Sequence, residues 1–168
     1  MSKQRKMMRD IVPDDFSLPL AVTDFIPVFF FWAGMLLIGK HLSSMLFSIG
    51  ACVCLLSGLL KVLWKIIVVL KKKNIWPLFI QMRILMPLGF LMMLIGLIIS
   101  RNSISLSSFC HSVFQLPSGI FFAITILGMI LMSVFAVKLD SSDSRNNWLE
   151  EITNSIAQIA LFIGLLLL

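Results

Sequence analysis

The chain alternates between long apolar runs and short polar interruptions, and the length of those runs is the width of a membrane. A transmembrane helix needs ~20 predominantly apolar residues to cross ~30 Å of hydrocarbon. Five segments meet that requirement, at about 20–39, 44–70, 76–99, 117–137 and 149–168. The first has a short core, DFIPVFFFWAGMLLIG from Asp24 to Gly39, and starts earlier if Pro19, Leu20, Ala21 and Val22 are helical. The fifth begins as a polar helix near Asn146 and is apolar through Leu168. The expected fold is all-α: a polytopic membrane helix bundle of five transmembrane helices, forming a single membrane domain over 1–168 behind a basic N-terminal segment, 1–18. No small-residue cleavage site follows Gly39, so the first run is read as a retained span. No fixed-period repeat is visible, and an odd number of spans disfavours a duplicated half.

Composition removes the main alternative. The 168 residues are 59% apolar and 13% charged, against ~45–50% and ~25% in soluble domains. Such a chain would expose more contiguous hydrocarbon than water tolerates. The net charge of +6 raises the question of nucleic acid, but the basic residues sit at span ends, where topology accounts for them. No nucleic-acid partner is expected.

The positions of those charges set the orientation, because Lys and Arg near span ends are retained in the cytoplasm. Lys3, Arg5, Lys6 and Arg9 precede the first span, while Lys61, Lys65, Lys71, Lys72, Lys73 and Arg83 surround the second connection. Lys138 and Arg145 flank the fourth. These are twelve of the fourteen basic residues, and only Lys40 and Arg101 fall on the other side. The N-terminus is therefore expected in the cytoplasm and the C-terminus outside, in a plasma (inner) membrane. All eight acids, Asp10, Asp14, Asp15, Asp24, Asp140, Asp143, Glu150 and Glu151, fall on the cytoplasmic side, and His41 and His111 on the external side.

Few residues inside the spans are polar, and those few are the candidate chemistry. Arg83 lies seven positions beyond Trp76, or ~10 Å into the membrane if Trp76 marks the interface. Pro87 cannot donate to the Arg83 carbonyl, so a charge, a kink and a free acceptor coincide there, with Gln81 nearby. Snorkelling to the headgroups is the alternative account of Arg83. Lys61 and Lys65 are one turn apart, with Ser57 and Gly58 on the same face. With Lys71, Lys72 and Lys73, Lys65 is expected to contact anionic lipid.

In the fifth segment Glu151, Asn154 and Gln158 share a face opposite Trp148, Ile152, Ile156, Ile159 and Ile163. Amides in a span either bond to neighbouring helices or line a pocket. Asp24 is read first as an N-cap, and otherwise as a counter-ion to Arg83 or Lys61. Gly50, Cys54 and Gly58, and Gly119 with Ala123, have the spacing of close helix contacts.

No cofactor or metal site is expected. Cys52, Cys54 and Cys110 are an odd set with C-x-C spacing, and suggest small buried residues rather than a disulfide framework or a zinc site. There is no phosphate-binding Gly-rich loop, no H-E-x-x-H and no nucleophile elbow. The expected function is a cytoplasm-facing polar pocket that binds or transports an amphiphile, lipid or small anion. Its ligand residues would be Arg83, Gln81, Glu151, Asn154, Gln158, Asp24 and Lys61, with Arg83 holding the anionic group. Membrane lipids, a second copy of the chain or a larger membrane protein are the expected partners. An accessory subunit, or a lipid-modifying enzyme with Glu151 or Asp24 as base, are the alternatives. A topology reporter fused at Leu168 is expected to read as external; a cytoplasmic signal there would reverse the orientation.

Overall fold

The computed structural model describes residues 17–101, 113–139 and 143–168. Seven helices occur among them: α1 (Leu18–Thr23), α2 (Phe25–His41), α3 (Met45–Lys71), α4 (Trp76–Ile80), α5 (Met82–Ile99), α6 (Ser118–Lys138) and α7 (Ser144–Leu166). Taken as α1–α2, α3, α4–α5, α6 and α7, they make five stretches long and apolar enough to cross a membrane. No strand is present among the described residues. The first four begin and end within two residues of the lengths anticipated from hydropathy. The fifth starts earlier, because the Asp143 carboxylate accepts from Arg145 N at 2.9 Å and caps polar turns that hydropathy does not score.

Local chemistry explains the breaks. Pro27 has no N–H for the Thr23 carbonyl, and α1 gives way to α2 at Asp24, just after that carbonyl. Asp24 makes no capping bond with its side chain, so the N-cap reading of this residue does not hold. In the third span the break falls at Gln81, six residues before Pro87, which lies inside α5. Ser44 starts α3 by accepting from Phe47 N at 3.4 Å. Lys72, in the left-handed region at φ 47°, ends it.

The helices pack in an order that differs from their order along the chain. α5 packs on α3, α3 on α2, α2 on α7 and α7 on α6, and α1 touches α2, α3 and α7. The result is an arc whose two ends, α5 and α6, make no extensive contact with each other. The concave side of the arc is where polar residues from several helices can meet.

Small residues allow the closest approaches, as they do where lipid surrounds a bundle and dispersion must hold it. A Cβ added to Gly50 would lie 2.7 Å from the Gly89 carbonyl oxygen, and one added to Gly89 would lie 2.8 Å from the Gly50 oxygen. Cys54 packs beside them in a cluster with Leu42, Phe47, Ala51 and Met93. On the fourth span the close contact is made by Gly128 against Ala157, and by Thr125 Oγ1 donating to the Ala157 carbonyl at 3.3 Å. The Gly119 and Ala123 pair does not serve this role, since Ala123 is exposed. The outer surface is almost entirely apolar, with Ile84, Leu91 and Ile98 on α5 and Ile126, Ile130 and Val137 on α6 all open. That is far more than a soluble monomer presents.

Gly89→Ala is therefore expected to push α5 off α3 and lower stability by about 1–3 kcal/mol, measured by thermal unfolding in detergent. Ala123→Leu, on the exposed face, is expected to change it by less than about 0.5 kcal/mol.

Candidate functional site

Four ionisable side chains from three spans meet at one end of the bundle. Lys65 Nζ lies 2.8 Å from Asp24 Oδ2 and 2.8 Å from Glu151 Oε1, so one ammonium serves two carboxylates. The Glu151 contact is a well-aligned hydrogen bond, whereas Asp24 Oδ2 meets Lys65 as an ion pair without hydrogen-bond alignment. Lys61 Nζ donates to Asp24 Oδ1 at 3.3 Å. Asp24, Lys65 and Glu151 are each more than nine-tenths buried, while the Lys61 side chain is 32% exposed. The formal charges sum to zero. An isolated ion in this surrounding would be strongly disfavoured, and the pairing is what makes its burial tolerable.

A cavity of about 210 Å³ lies one to two helical turns deeper in the bundle. Asp24 leads along α2 to Pro27, Val28 and Phe31, and Glu151 leads along α7 to Asn154 and Gln158; Cys54 on α3 completes the inner wall. Met86 and Phe90 of α5 and Met129 of α6 form the opposite side. Phe90 and Met129 are each about half exposed and stand on the two ends of the arc, so the cavity opens sideways between α5 and α6. Its wall is hydrocarbon, sulfur and aromatic ring except for the two amides.

Those amides are poorly satisfied. Gln158 is 7% exposed, and its Nε2 reaches Asn154 Oδ1 at a long 3.5 Å and the weak acceptor Met129 Sδ at 3.7 Å. Its Oε1 has no donor among the described residues. Two acceptors facing the nitrogen identify the oxygen as the group left over. A buried carboxamide with one end empty and the other loosely held is uncommon enough to call for an explanation.

The anticipated site residues thus divide. Asp24, Lys61 and Glu151 form the ion cluster, which realises the counter-ion reading of Asp24 with Lys61. Asn154 and Gln158 line the cavity. Gln81 lies apart, with Nε2 donating to the Ser57 carbonyl at 3.0 Å and tying the α4–α5 break to α3. Arg83, expected to hold an anionic group, is not among the cavity's lining residues: it is exposed one turn before Met86, with its guanidinium over the Phe79 ring at 5.5 Å. Phe79 also packs against Trp64 and Trp76, and Trp64 Nε1 donates to Asn74 Oδ1 at 3.0 Å across the connection.

Lys71, Lys72 and Lys73 are exposed beside that connection, but Lys65 is not a lipid contact, being buried between two acids. It lies seven residues beyond Gly58 on the stripe of Gly50, Cys54 and Gly58, so that stripe was the available signal that it turns inward. Cys52 is exposed, contrary to the reading of both neighbouring cysteines as buried. His41 bonds to its own helix, at the Leu37 carbonyl. Lys3, Arg5, Lys6, Arg9, Asp10, Asp14, Asp15, Cys110, His111 and Asp140 lie outside the described residues. The apolar cavity wall carried no sequence signal, because Met86, Phe90 and Met129 look like any other span residues.

No group of three or more His, Cys, Asp or Glu side chains is placed to hold a metal ion among the described residues. Lys65→Met is expected to strand the buried Glu151 carboxylate, leave Asp24 with Lys61 alone, and cost about 3–5 kcal/mol in thermal or denaturant unfolding. Adding Glu151→Gln to that variant should restore part of the loss, and a strictly additive double variant would show that the two side chains do not interact. No protein-family model, curated protein or solved structure matches the chain.

Proposed function

We propose that this is an integral membrane protein that receives a small amphiphile from the bilayer through the gap between α5 and α6, for binding and from there for transport. The observation that carries the reading is the buried, unsatisfied Gln158 amide on the wall of an otherwise apolar cavity open sideways. At about 210 Å³ the cavity exceeds the ~150 Å³ of a dry engineered cavity that admits benzene. Apolar walls with a few convergent polar groups are the usual composition of a small-molecule site.

The orientation that puts twelve of fourteen basic residues in the cytoplasm places the ion cluster in the inner leaflet and the cavity nearer the midplane. Lys71, Lys72 and Lys73 then face anionic headgroups, each contributing about 1 kcal/mol. The small-anion version of the reading loses its support, because Arg83 is engaged over the Phe79 ring and does not line the cavity, and Lys61 and Lys65 are already paired. The enzyme alternative is weakened in the same way, since Asp24 and Glu151 are both committed to Lys65.

An accessory-subunit role is the second reading. It is favoured by the apolar outer face of α6, with Ile126, Leu127 and Ile130 open, and would have a helix of a second copy or of a larger membrane protein, rather than a lipid, close the gap.

Native mass spectrometry of the chain released from nanodiscs is expected to show a stoichiometric small amphiphile. Met129→Trp, which fills the mouth from a half-exposed position, should reduce its occupancy at least about fivefold, given the overpacking of an already lined site. Persistent one-to-one association with another polypeptide and no small adduct would favour the accessory role instead.

A further inference from the structure

We infer that the amphiphile is a long-chain alcohol, with an uncharged hydroxyl head held inward on Gln158 and its chain leaving between Phe90 and Met129. This rests on the proposed lateral cavity and specifies its ligand. The polar groups that reach the cavity are amides, from Asn154 and Gln158, and an amide offers hydrogen bonds without net charge. Gln158 Oε1 has no donor among the described residues and its Nε2 has one long contact and one weak sulfur acceptor, so a group that both donates and accepts would satisfy the side chain at both ends. A hydroxyl does both. A carboxylate accepts only, and would leave Oε1 unsatisfied.

Charge leads to the same class. A phosphate head, or a carboxylate that stays ionised, drawn into this cavity would need a cation within the bundle. Lys61 and Lys65 belong to the neutral cluster with Asp24 and Glu151, and Arg83 is exposed over the Phe79 ring and does not line the cavity. Freeing Lys65 would strand Glu151, and freeing Lys61 would leave one ammonium for two buried acids, which is the costlier outcome. An alcohol requires no such exchange. Its head is also weakly enough hydrated to leave the interface and travel to a site deep in the hydrocarbon, which a phosphorylated head is not.

The mouth fixes the polarity of binding. Asn154 and Gln158 lie on the inner wall and the half-exposed Phe90 and Met129 on the outer rim, so the head enters first and the chain remains in contact with lipid. An unbranched chain satisfies this without being wholly enclosed.

The test uses the full chain in nanodiscs with two photoactivatable probes of equal length, palmityl alcohol and palmitic acid, each with a diazirine in the chain. Alkaline buffer keeps the acid ionised. The alcohol is expected to label peptides carrying Met86, Phe90 or Met129, and excess unlabelled palmityl alcohol should suppress the labelling. The acid should label them about tenfold less, as should the alcohol on Gln158→Leu, the loss of roughly one buried hydrogen bond. Equal or stronger labelling by the acid overturns the inference while leaving the lateral cavity standing, and so does undiminished alcohol labelling of Gln158→Leu. The comparison of the two probes on the unaltered chain decides the matter even if that variant fails to fold. Absence of cavity labelling by both probes overturns the lateral cavity itself, and this inference with it.

Discussion

One ammonium group shared by two carboxylates governs the arrangement of the bundle. Lys65 contacts Asp24 on the first span and Glu151 on the fifth, and all three are buried. Removing charge from water is tolerated only where geometry supplies an opposite charge at contact distance. The partners therefore constrain α2, α3 and α7 to one relative height, a registry role for buried ions. Helices with mostly apolar surfaces could otherwise slide past one another at little cost, because dispersion contacts are not directional. Polar pairing sets the register of the bundle, and glycine contacts such as Gly50 with Gly89 set how closely its helices approach.

The cavity follows from the packing order. Because α5 and α6 occupy opposite ends of the arc, the inner faces of five spans converge on a space that no helix fills. The ion cluster lies a turn or more away along α2, α3 and α7, toward one end of the bundle, and does not line that space. What remains open is the side, between Phe90 and Met129.

Span lengths were legible in the sequence because hydrocarbon thickness imposes a length that few other constraints mimic. The stripe of Glu151, Asn154 and Gln158 was legible for a similar reason, since a period of 3.6 places the three on one face whatever that face meets. The direction of Arg83 was not. Depth along a helix can be counted from a sequence, but azimuth needs the neighbour. Gly89 faces α3, and Arg83, six residues earlier, lies about 120° around from it, close to the bearing of Phe90, so its contact with the Phe79 ring rather than the cavity is set by packing beyond its own helix. Lys65 shows the converse: its basic character suggested headgroups, whereas its place on the small-residue stripe pointed into the bundle. The apolar cavity wall had no sequence signature, because a Met or Phe that lines a space is written like one that fills it.

The neutrality of the ion cluster has an electrical consequence. In a bilayer a net charge displaced across the full field gains or loses ~2.3 kcal/mol per 100 mV, but a group of two ammoniums and two carboxylates that moves as a unit carries no net charge through it. Displacement of α2, α3 and α7 together would therefore draw no voltage dependence from these four groups. Separating Lys65 from its acids would move net charge, so these four side chains couple to the field when they part and not when they travel as a unit.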